Sequence, residues 1–364
     1  MNRIDPKLVA TLRQPAELVA RGLAPAAALA ELDKVAQRYA IAVTPAVAAL
    51  IEPDDPADPI ARQFVPNALE LVATPGENAD PIGDDAHSPV TGIVHRYPDR
   101  VLFKLVSVCA VYCRFCFRRE TVGPGKPNAL SDEAYRASLD YIRGHGEVWE
   151  VILTGGDPLM LSPRRLAEIM ADLAGIDHVR IVRIHTRVPV ADPARLTREL
   201  VSALKVEGAT TWVAVHANHA REFSDAARAA CARLADAGIP LVSQSVLLRG
   251  VNDDAAALEA LMRAFVENRI KPYYLHHGDL APGTAHLRTT LEHGQQLMRS
   301  LRGRVSGLCQ PEYVLDIPGG YGKAPVGPTY LSQPDTPQRD KLAVAPYRVV
   351  DYCGDVHLYP PQSP

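Results

Sequence analysis

Three cysteines fall within eight residues, Cys109-x3-Cys113-x2-Cys116, in the stretch HRYPDRVLFKLVSVCAVYCRFCFRRE that runs from His95 to Glu120. They follow an apolar, strand-like run, and arginines crowd both sides. Thiolates so spaced converge on one metal centre when the loop wraps it. Structural zinc takes four ligands, often as two CxxC pairs, and no second pair exists here. Three thiolates suit an iron-sulfur cluster with one iron left open. The bland alternative, three incidental thiols in a core loop, is weak at this spacing.

Other polar stretches could do chemistry beside them. In LTGGDPLML, Thr154, Gly155, Gly156 and Asp157 form either a plain turn or a segment whose bare glycines let backbone approach a ligand. DIPGGYGK, Asp316 to Lys323, ends a glycine-rich turn in a lysine free to reach a flat ring or a phosphate. It lacks P-loop spacing, which disfavours a nucleotide triphosphate. HRYPDR supplies Arg96, Tyr97 and Arg100, whose guanidinium forks match phosphate or serve in an ordinary salt bridge. His216 and His219 in HANHAREF read as polar lining rather than a metal pair.

The elements that must position these groups show in the apolar pattern. Short β-rich runs at Val101–Val108, Val148–Leu153, Val179–Ile184, Thr211–Val215, Pro240–Leu247 and Ile270–His276 alternate with amphipathic helical runs. Ser131 and Ser162-Pro163 mark helix starts, and Gly144, Gly175 and Gly238 mark helix ends. Six strands with five intervening helices read as repeated βα units around a parallel sheet, open or closed into a barrel, with ligands at the C-terminal ends of the strands. Leu8, Leu12, Leu18 and Leu23, then Pro25 to Ala40, show helical spacing, so residues 1–93 read as a helical and wrapping segment, broken by prolines from Pro53 to Pro59.

Bulk properties narrow the class. A formal net charge of −3 over 364 residues argues against a general nucleic-acid binder. No apolar run is long enough for a membrane span, and the first residues lack a secretory pattern, so the expected location is cytoplasmic. Six cysteines, half of them in one loop, fit reduced thiols better than a disulfide framework.

CxxxCxxC with Phe115 before the last cysteine resembles the radical S-adenosylmethionine signature, and its flanks resemble the lysine 2,3-aminomutase family. The resemblance implies an α/β fold, a partial (β/α)6-type barrel over residues 94–323, with the N-terminal appendage and a short C-terminal extension, 324–364. It implies a 4Fe-4S cluster on Cys109, Cys113 and Cys116, and S-adenosylmethionine at Thr154, Gly155, Gly156, Asp157, Arg187 and Gln244. It also implies pyridoxal 5'-phosphate on Lys323, the catalytic lysine, with Arg96, Tyr97 and Arg100. Arg118 would grip the α-carboxylate of L-lysine, while Asp279 and Asp316 would hold its ε-ammonium, since two converging carboxylates repel unless a cation lies between them.

The implied activity is an isomerase that moves the α-amino group of lysine to the β-carbon, driven by an external one-electron reductant. His276 departs from the tyrosine expected near that position and resembles the branch that modifies a lysine on elongation factor P, which is the alternative reading. A non-catalytic iron-sulfur electron-transfer or sensor protein leaves Lys323, Arg118 and the aspartates unexplained. The segment after Lys323 carries only Cys353, so zinc is not expected, although a homo-oligomer stays open.

Overall fold

The computed structural model describes residues 10–332 and 347–361, apart from 54, 124 and 126. Among the described residues, nine strands form one sheet in the order of the chain: β1 (Ile93–Tyr97), β2 (Arg100–Val106), β3 (Glu150–Gly155), β4 (Ile181–Thr186), β5 (Thr210–His216), β6 (Leu241–Val246), β7 (Ile270–His276), β8 (Glu312–Ile317) and β9 (Gly322–Pro325). Strands β2 to β8 are parallel, while β1 pairs antiparallel with β2 and β9 antiparallel with β8. This sheet is the partial barrel expected from the sequence, carried one parallel strand further by β8.

Its helices form where the caps predict. Ser131 Oγ accepts from the Ala134 amide ahead of Asp132–Gly144, and Ser162 Oγ accepts from the Arg165 amide ahead of Pro163–Ala174. Gly175 caps the second of these helices, and Gly238, at φ +79°, lies just past Asp225–Asp236.

Alternation within the strands separates core from cavity. In β4 the buried Val182 and Ile184 belong to the main apolar core, whereas Arg183 and His185 between them line the interior of the barrel. In β3, Val151 and Leu153 join the same core, with Ile152 and Thr154 turned inward. Parallel strands covered on both faces by apolar layers carry nearly continuous apolar runs. Here one face is polar because it lines a cavity.

The N-terminal segment holds helices at Pro15–Ala20 and Leu29–Arg38. Leu12, expected in helical spacing, instead makes an antiparallel bridge to Val43, and Leu8 lies outside the described residues. Beyond Lys323, β10 (Leu331–Ser332), β11 (Tyr347–Val350) and β12 (Val356–Tyr359) form a separate antiparallel sheet, and residues 333–346 and 362–364 of the expected extension lie outside the described residues. Among the described residues no helix is long and apolar enough to cross a membrane.

Candidate active site

The inner face of the sheet and the ends of its strands enclose one cavity, and every residue named above for a metal, cofactor or substrate role lines it. The cysteine loop leaves β2 and is held from outside by the N-terminal segment. The Tyr112 amide donates to Ala42 O at 3.2 Å and the Arg114 amide to Gln63 O at 2.8 Å. Glu70, buried, accepts from Arg114 Nε at 2.9 Å, and its Oε2 also pairs with Arg114 Nη2 and Arg119 Nη2. The Arg119 guanidinium lies 3.5 Å over the Tyr39 ring. A buried carboxylate between two guanidiniums therefore pins the residues that follow Cys113 and Cys116.

Burial pushes all three thiols above the ordinary range, Cys116 to about 11, and Cys109 rises further through the charges of Asp157 and the other two cysteines. Such thiols ionise together only around a cationic centre, which is what an iron-sulfur cluster provides. Arg187 donates from Nη1 to Cys113 Sγ at 3.4 Å, and its Nη2 is fixed by Glu222 Oε2 and Gln63 Oε1, each at 2.6 Å.

The glycine pair packs against protein. A Cβ on Gly155 or Gly156 would collide with the carbonyl oxygens of Val106 and Val108, and the Asp157 amide donates to Val108 O at 2.8 Å. The Asp157 carboxylate accepts from Thr186 Oγ1 at 2.8 Å and from the amides of Leu159 at 3.0 Å and Arg187 at 2.8 Å. It braces the exits of β3 and β4 together. His216 lines the cavity with its ring 5.6 Å from Phe115, whereas His219 accepts from the Arg221 amide as a helix cap. The buried Nε2 atoms of His185 and His216 have no protein partner, which fits a polar ligand in the cavity.

At the far end, Lys323 Nζ donates to Asp316 Oδ1 at 2.6 Å, and Asp316 Oδ2 lies 3.1 Å from His276 Nδ1. Gln244 Nε2 lies 3.1 Å from His276 Nε2. An amide nitrogen only donates, so His276 accepts at Nε2 and carries its proton on Nδ1, toward Asp316. Burial, which lowers the His276 pKa, agrees with a neutral ring. Burial acts to raise Asp316, but His276 and Lys323 hold it well below the carboxylate range. Asp279 differs: burial and then the Asp316 charge push it up to about 7, and its Oδ1 has no partner. An unsatisfied carboxylate beside an ionised one fits a cation.

Tyr97 OH accepts from the Lys323 amide at 2.6 Å while Arg100 stacks 3.9 Å over the Tyr97 ring. Lys323 and the arginines at this end have the donor chemistry that a phosphorylated aldehyde cofactor requires. Arg96 and Arg118 both donate to Asp84, a residue on no motif. Lys104 on β2 is also close, its pKa lowered by burial and then by Arg118. Asp84 and Glu70 stand out in the sequence only as charges in stretches without apolar periodicity, whereas Lys104 is a charge that interrupts the apolar run of β2.

The model of the Radical SAM superfamily matches residues 103–261. The chain is 44% identical over 291 residues to an L-lysine 2,3-aminomutase of Clostridium subterminale, covering 80% of this chain and 70% of that protein. It is 43% identical over 291 residues to an L-lysine 2,3-aminomutase of Acetoanaerobium sticklandii, with the same coverage. A glutamate 2,3-aminomutase of Clostridioides difficile is 37% identical over 300 residues, 82% of this chain and 70% of that protein.

Proposed function

The chain belongs to the L-lysine 2,3-aminomutase family, within the radical S-adenosylmethionine enzymes, and from that premise we propose that it moves the α-amino group of L-lysine to the β-carbon, giving β-lysine. The family uses a 4Fe-4S cluster, S-adenosylmethionine and pyridoxal phosphate. The observation that carries the choice of substrate is the pair Asp279 and Asp316, close enough that the charge of one raises the pKa of the other, in the cavity that also holds Arg118 and Lys323. A substrate with a carboxylate at one end and an ammonium at the other satisfies both ends; a dicarboxylate would add a third negative charge beside the pair.

The residues divide the work. Cys109, Cys113 and Cys116 would hold the cluster, Lys323 with Arg96, Tyr97 and Arg100 the pyridoxal phosphate, and the β3, β4 and β6 exits the S-adenosylmethionine. When bound, these groups supply a carbon-centred radical that takes a substrate hydrogen, and a conjugated ring through which the amino nitrogen moves to the neighbouring carbon. Arg118 holds the α-carboxylate and so fixes the α- and β-carbons. Asp316 Oδ1 keeps the Lys323 ammonium in place until Lys323 is engaged, and then becomes free for the substrate ε-ammonium. His276 keeps its proton on Nδ1, which leaves Asp316 ionised. The walls of the cavity exclude water from the radical step. The reading includes a cytoplasmic setting and an external one-electron reductant.

Anaerobically reconstituted protein with pyridoxal phosphate, S-adenosylmethionine and a reductant is expected to convert L-lysine to β-lysine, and Lys323→Ala to abolish the conversion. Turnover of a lysine presented on elongation factor P, with none of free lysine, would move the assignment to that branch.

A further inference from the structure

The geometry points to Asp84 as a positioning residue that sets the guanidinium plane of Arg118 for a carboxylate and ties it to Arg96. The inference rests on the reading of Arg118 as the residue that binds the substrate α-carboxylate. Asp84 is buried at 6% exposure. Its Oδ2 accepts from Arg118 Nε at 3.2 Å and Nη2 at 2.8 Å, and its Oδ1 accepts from Arg96 Nη2 at 3.1 Å. Arg96 Nη2 also donates to Ile82 O at 2.8 Å. The inner edge of Arg118 is thus occupied, and Nη1 meets Thr154 Oγ1 at 3.3 Å. The Nη1–Nη2 edge is the one left to take a carboxylate through two parallel bonds.

The turn that carries Asp84 is itself fixed. The amides of Asp84 and Asp85 both donate to the Asp80 carboxylate at 2.8 Å, and Ser88 Oγ donates to Asp84 O at 2.8 Å. His87 Nε2 lies 2.9 Å from Gly320 O, and a Cβ on Gly83, at φ +70°, would collide with the Gly320 amide nitrogen. The turn is therefore seated on the glycines that lead into Lys323. One short segment registers Arg96, Arg118 and the Lys323 turn against each other.

Two effects of removing the carboxylate oppose each other. Arg96, Lys104 and Arg118 surround Asp84 and, against the upward push of burial, keep it ionised. Losing that charge would strengthen a diffuse attraction for any anion. It would also let three like charges repel, and Arg118, 14% exposed, has room to swing outward. Recognition of a planar carboxylate depends on fork alignment rather than on charge alone, so the loss of alignment decides the outcome.

The test uses protein loaded with pyridoxal phosphate and follows ligand binding by the visible absorbance of that cofactor. L-lysine is compared with L-lysinamide, which lacks the carboxylate charge. In Asp84→Asn the preference for lysine over lysinamide should fall by about tenfold or more, the size expected for misaligned hydrogen bonds to a charged group. Asp84→Glu, which keeps the charge but displaces the fork, should fall between Asp84→Asn and the unaltered protein. An unchanged preference in Asp84→Asn, or an equal loss for both ligands, overturns the inference. Should Asp84→Asn not fold, Asp84→Glu decides, an unchanged preference there overturning it. Arg118→Met separates the two readings. If it erases the preference while Asp84→Asn keeps it, the role of Asp84 alone fails; if it keeps the preference, the reading of Arg118 fails and takes this inference with it.

Discussion

Binding of lysine should weaken as pH falls below neutrality, through Asp279. Burial and the neighbouring Asp316 push Asp279 up to about 7, whereas a free aspartate titrates at about 3.9. An ε-ammonium is held by the ionised form, so a protonated Asp279 must give up its proton when lysine binds. For one titrating group the apparent dissociation constant scales as 1 + 10^(pKa − pH), which is about elevenfold at pH 6, about twofold at pH 7 and about 1.1-fold at pH 8. The assay titrates the pyridoxal phosphate-loaded protein with L-lysine and with L-norleucine, which shares the α-groups but lacks the ε-ammonium. Titration of the shared groups cancels in the ratio. The preference for lysine should grow about tenfold from pH 6 to pH 8, and Asp279→Asn should abolish the slope. Burial moves the His276 pKa downward, away from the upper part of this window. A flat ratio in the unaltered protein, or a slope that survives Asp279→Asn, refutes the reasoning. In the empty protein the same shift costs stability: a group whose folded pKa is raised favours folding most below about pH 4 and loses that contribution as pH climbs toward 7.

Two further outcomes follow from the cysteine loop. Glu70→Gln leaves Arg114 and Arg119 without their buried counter-charge and should lower the unfolding free energy of cluster-free protein by about 3–5 kcal/mol, read by denaturant titration; a change under about 1 kcal/mol would mean the trio is solvated. Arg187→Met removes the donor to Cys113 Sγ and should shift the cluster potential downward in an EPR redox titration, and an unmoved potential would show that this contact is lost when the cluster is in place.

Strands β2 to β7 and the cysteine spacing were legible because both are local patterns. Strand β8 was not: Glu312–Ile317 runs straight into the Pro318-Gly319-Gly320 turn, and the turn chemistry drew attention from the apolar run before it. Asp157 shows a different limit. Its place after β3 marked it as a residue of the site, yet its carboxylate is committed to Thr186 and two backbone amides, which spacing does not reveal. Asp84 and Glu70 were invisible for a third reason. Each acts on arginines at least a dozen positions away, from short segments with no periodicity, and only tertiary structure brings the partners together.

The bond from the Lys323 amide to Tyr97 OH spans 226 positions and has a consequence for synthesis. Lys323 follows Cys116 by 323 − 116 = 207 residues, so at usual translation rates the three thiols leave the ribosome about 10–40 s before it. During that interval the nascent chain presents oxidisable sulfur without the closing strand. The contact between Tyr97 and Lys323 is thus among the last in the cavity to become possible during synthesis.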